Sequence, residues 1–150
     1  MSLNKGMTLV EILLVLSILV VLLIVVLPNF ARFRSSQVLS ATVSDILSSL
    51  DKARSQSLNS LDSSEYGVHF DSNQIVIFKG IVYSALTATN EIIPISSPAS
   101  LSTITLASGG SDVYFARLSG APSTTGTVVV TVSSLTKTIT IGATGIFSSN

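Results

Sequence analysis

The chain has 150 residues, 47% of them hydrophobic and only 11% charged, with eight Lys and Arg against eight Asp and Glu and no cysteine. That balance offers no basic field for nucleic acid and no acidic tail, and the lack of cysteine excludes disulfides, thiolate nucleophiles and cysteine-held metals. The length suits one small domain with an appendage, because the apolar excess is gathered at the N-terminus and the rest is rich in Ser and Thr.

The first element is apolar. Lys5-Gly6-Met7-Thr8-Leu9-Val10-Glu11 leads into residues 12–27, where Ser17 alone is polar. As a helix, residues 7–27 reach about 30 Å, the thickness of a bilayer's hydrocarbon core. A secretory signal peptide fits less well, because its apolar region is shorter and ends in a small-residue cleavage site, whereas this run ends in Pro28-Asn29-Phe30. Glu11 is the residue such a helix should lack, since an ionised group in lipid costs on the order of 3 kcal/mol. Two readings stand. Thr8 and Glu11 have the spacing of a capping box, which satisfies free N–H groups at a helix start; or Glu11 attracts a cation carried by another subunit. Pro28 removes a backbone donor and predicts a bend.

These residues resemble type IV pilins and the pseudopilins of type II secretion. Gly6-Met7-Thr8-Leu9-Val10-Glu11 is similar to a prepilin peptidase site, which implies cleavage after Gly6 and methylation of the new N-terminal Met7. Glu11 then takes the place of the family's assembly glutamate, which neutralises the N-terminal amine of a neighbour. Pro28 falls where many members carry a kinking proline. The chain departs from the commonest form in having Met7 instead of phenylalanine and a short leader with one basic residue, Lys5. The resemblance covers about the first 30 residues closely. It implies three segments: a leader over residues 1–6, a transmembrane and assembly helix over 7–28, and an amphipathic helix with a β-rich domain over 29–150. It further implies the bacterial inner membrane as first location, single-pass with the globular domain outside the cytoplasm, and then an extracellular or periplasmic fibre. Charge alone does not give that orientation, because Arg32 and Arg34 at the far end outnumber Lys5. Those two arginines read as solvated flanking charges or lipid-phosphate contacts.

Beyond Pro28 a helical period resumes. Leu39, Val43, Ile46, Leu47, Leu50, Ala53, Leu58 and Leu61 recur mostly three or four residues apart, with serines and charges largely opposite, as in a helix packed on a sheet. After Leu61 the period becomes two. Residues 66–70 and 74–79 predict a hairpin, residues 80–86 another extended piece, and 92–95 an edge segment interrupted by Pro94. Residues 102–106 and 112–118 follow, then 126–132, a turn, 137–141, and a closing stub at Ile146-Phe147. The expected fold class is α+β: a long N-terminal helix, with a membrane half and an amphipathic half, packed on an antiparallel β-sheet domain. The C-terminal pattern more loosely resembles H-type minor pseudopilins and fimbrial-type minor pilins. Residues 119–125 are the most loop-like stretch and read as a plain connection rather than a contact surface.

Little in the sequence suggests catalysis. His69 is the single histidine, so a metal site would need carboxylates to complete it, and a sheet-surface histidine is the simpler reading. No glycine pattern cradles a phosphate, and no cofactor is expected. Lys79, Arg117 and Lys137 are too scattered among the aromatic residues to form a base-stacking platform. The chain is expected to be a structural subunit. Its implied partners are prepilin peptidase, other pilin or pseudopilin subunits, an inner-membrane assembly platform and the lipid bilayer, with nucleic acid disfavoured. The alternative is a minor pilin that acts as a DNA-uptake or adhesion module.

Overall fold

The computed structural model describes residues 6–150, apart from the side chains of residues 26–29 and 31. The chain divides into two compact units, Met1–Arg34 and Ser35–Asn150. One helix assignment, α1 (Leu9–Leu58), contributes residues to both.

In the first unit α1 starts behind Thr8. The apolar side chains of residues 12–25 are all solvent-facing, and Ser17 returns its hydroxyl proton to the Leu14 carbonyl at 2.8 Å. This part corrects an expectation. Among the described residues no helix is long and apolar enough to cross a membrane. The transmembrane half assigned to residues 7–28, and the single-pass inner-membrane location built on it, are therefore not supported.

In the second unit α1 is amphipathic. Leu39, Val43, Ile46, Leu50 and Ala53 are buried, spaced so that they fall on one side of the helix. That apolar stripe stops earlier than its sequence period implies, because Leu58 and Leu61 are exposed. The backbone changes hand there: Ser60, Asp62 and Ser63 have φ of 52°, 50° and 53°, which ends the helix and leaves only a short 3-10 turn over Leu61–Ser63.

The expected antiparallel β-sheet domain is built of two sheets. The first joins β1 (Tyr66–Asp71), β2 (Gln74–Lys79), β3 (Glu91–Pro94) and β5 (Asp112–Phe115) in the order β3-β2-β1-β5. The second joins β4 (Ala99–Leu106), β6 (Gly126–Val132), β7 (Leu135–Ile141) and β8 (Phe147–Ser149) in the order β4-β6-β7-β8. The pairings within both sheets are antiparallel, and the class is α+β. The division follows from where β4 goes: it leaves the first sheet after β3 and pairs with β6 along its length.

One core serves all three layers. Ile46 and Leu50 of α1 share a cluster with Val68, Phe70, Ile75, Ile77 and Phe115 of the first sheet and Val128, Val130 and Ile139 of the second. Alternation keeps each strand's apolar set on that side. In β4 the alternation slips between Leu101 and Thr103, a bulge that buries Leu101 and Leu106 although their spacing is odd. On β2 four consecutive residues, Ile75 to Phe78, are buried, so its second face must also be covered. Tyr83 contributes to that cover: it meets Phe78 edge-on at 5.7 Å. Residues 80–86 are accordingly not a strand. Both edges of β2 are already paired, with β1 and β3, and Gly80 turns the chain at φ 104° onto the sheet's outer face.

Candidate assembly site

Three of the four site residues read from the sequence meet at one end of α1. Gly6 and Met7 are exposed and non-helical, and a Cβ built on Gly6 would meet nothing within 4 Å. The peptide bond between them therefore lies outside the helix, with open space around Gly6. Thr8 is the helix cap. Its Oγ1 accepts the Glu11 amide N–H at 3.3 Å, and its carbonyl accepts the Ile12 N–H at 3.2 Å. That is the threonine half of the capping box. Glu11 lies in the first turn with its side chain exposed. There its negative charge complements the unpaired N–H groups and the positive end of the helix dipole. The carboxylate is exposed and therefore accessible to a cation.

Behind Glu11 the apolar side chains of residues 12–25 are each between 46% and 67% exposed, on every side of the helix. A globular protein seldom leaves more than a few hundred Å² of contiguous apolar surface uncovered, so the sleeve is a candidate contact surface. The fourth residue, Pro28, lies outside the described side chains, as do Lys5 and the leader residues before it.

His69 has a partner that the sequence did not suggest. It stands directly opposite Asp112 across β1 and β5, and its Nδ1 hydrogen-bonds the Asp112 carboxylate. Tyr83 stacks on the ring at 3.9 Å with planes 9° apart. The arrangement clamps the residue 80–90 segment to the sheet. Among the described residues no group of three or more His, Cys, Asp or Glu is placed to hold a metal ion.

Several cations are committed to the fold. Lys52 pairs with Glu91 at 2.6 Å and Lys79 with Asp62 at 3.1 Å. Arg54 donates to the carbonyls of Gly120 and Thr144, and Arg117 to that of Ser63. Lys79 and then Tyr66 donate to the Asp62 carboxylate, which holds it below its ordinary pKa; burial first, then Asp62, pushes the Tyr66 phenol up. Residues 119–125 are tied as a connection: Gly120 turns at φ 61° beside Leu58, and Phe115 bridges Pro122.

No protein-family model, curated protein or solved structure matches the chain.

Proposed function

We propose that the chain is a prepilin-like structural subunit. Prepilin peptidase cuts it after Gly6, Met7 becomes the methylated N-terminus, and the subunit joins a type IV pilus or type II secretion pseudopilus. The observation that carries the reading is the exposed apolar sleeve of residues 12–25 set directly behind a single accessible carboxylate, Glu11. Apolar area contributes about 25 cal/mol per Å² when buried, so copies of such a helix gain by packing together. Packing alone leaves the axial position loose. A carboxylate inside the bundle fixes it, because the charge is tolerated only where a neighbour's N-terminal amine lies opposite. The DNA-uptake alternative gains no support from the cations, four of which serve internal contacts.

The test is Glu11→Ala in the full chain, co-expressed with a prepilin peptidase. The variant should still be cut between Gly6 and Met7, as read by the mass of the mature chain. Its share of the sheared fibre fraction should fall more than about 100-fold, because a buried amine left unpaired costs about 3–5 kcal/mol. Equal incorporation of the variant, or a native chain left uncut, overturns the reading.

A further inference from the structure

The second unit carries a groove with no assigned occupant. It lies between α1 and the end of β3, encloses about 190 Å³, and is lined by Val38, Thr42, Ile46, Ile75, Ile93 and Ile95, with Asp45 among its lining residues. Small-molecule sites enclose roughly 300–1,000 Å³, so this one has room for one or two side chains rather than a cofactor. Its chemistry asks for an apolar group with a cation beside it. Among the described residues no Lys or Arg pairs with Asp45, whereas Glu91 on the neighbouring strand already holds Lys52.

The chain itself presents that combination. Phe33 is 61% exposed, and Arg34, also exposed, follows it directly. Among the described residues Leu118 is also exposed beside an arginine, but the guanidinium of Arg117 is engaged with the Ser63 carbonyl. Aromatic and arginine side chains are also the residues that dominate small protein contacts.

We propose that the groove receives Phe33 of a second copy of this chain, with that copy's Arg34 set against Asp45. The contact is separate from the apolar sleeve and rests on the assembly reading for bringing copies together. It would make the second unit of one subunit a socket for Phe33 of the next.

Disulfide mixing tests it, because the chain has no native cysteine. Full-length Gln37→Cys and Ser96→Cys chains, one carrying a tag, are combined under assembly conditions and oxidised. Ser96 lines the groove and Gln37 lies one turn beyond Phe33. A mixed dimer is expected. Adding Asp45→Arg to the Ser96→Cys chain should lower its yield about 30-fold, as should adding Phe33→Ala to the Gln37→Cys chain. Pairing Asp45→Arg with Arg34→Asp on the opposite chain should restore it. A second mixture, Val15→Cys with Leu22→Cys, reports on the sleeve. If the sleeve pair links and the groove pair does not, the groove inference is overturned while the assembly reading stands. If neither links, both are overturned. A groove link indifferent to Asp45→Arg also overturns the inference.

Discussion

The helix α1 carries two apolar stretches that differ in one respect, periodicity, and the difference decides what each does. In residues 39–53 apolar groups recur every three or four positions, and Leu39, Val43, Ile46, Leu50 and Ala53 are buried against two sheets of the same chain. In residues 12–25 they occupy nearly every position and remain exposed on all sides. A stripe can be satisfied by one neighbour within the fold; a sleeve needs neighbours all round. The first serves folding within the chain; on the proposed reading the second serves association.

Substitutions that act on one stretch and spare the other sharpen this contrast. The largest effect is expected from Leu50→Ala, which opens a cavity at a fully buried position. It should destabilise the second unit by about 2–5 kcal/mol in chemical denaturation of the full chain, whereas Leu16→Ala, on the sleeve, should leave that transition within about 0.5 kcal/mol. Next comes Ser57→Ala. Ser57 is fully buried, accepts the Tyr66 N–H at 2.8 Å and donates to the Tyr66 carbonyl at 3.3 Å, tying the end of α1 to β1. Leaving those backbone groups unpaired should lower stability by about 1–3 kcal/mol.

Thr8→Ala is smaller and confined to the other region. Loss of the cap should weaken the first turn by about 0.5–2 kcal/mol, seen as faster amide exchange at Glu11 and Ile12 with no change at β6. The smallest effect is electrostatic. Because the Asp62 carboxyl is held below its ordinary pKa, its contribution is present at neutral pH and is lost as pH falls through the folded-state value, below about pH 4. Asp62→Asn should therefore flatten the acid limb of the stability profile slightly. The carboxylate is solvent-exposed, so the change should be small in urea midpoints at pH 7 and pH 3.

What the sequence made legible was local. The buried stripe of α1, the β1–β2 hairpin and the β6–β7 hairpin follow from periods of 3.6 and 2 over contiguous residues, and β6 occupies the expected span, Gly126–Val132. The Thr8 cap was legible from spacing. What stayed hidden depends on partners distant in the chain. His69 and Asp112 meet because β5 returns to the free edge of β1, and no run of residues encodes that register. Gly67 is another case: a Cβ there would lie 2.5 Å from the Phe78 ring and 2.7 Å from the Val113 carbonyl, a close approach visible only once β1, β2 and β5 are paired. Residues 80–86 misled because β-forming composition does not supply a free strand edge to pair with. Among the described residues no helix is long and apolar enough to cross a membrane, so the transmembrane reading drawn from hydropathy is not supported.

The contrast between stripe and sleeve rests on what covers residues 12–25. Single-cysteine chains bearing Leu16→Cys or Ser134→Cys, assembled and then treated with a water-soluble maleimide, measure that directly. Both positions are exposed in the single chain, and Ser134 lies in the β6–β7 turn. Assembly should leave Ser134→Cys labelled and protect Leu16→Cys by at least about tenfold, consistent with burial of the sleeve between copies. Equal labelling of the two in intact assemblies would contradict the account.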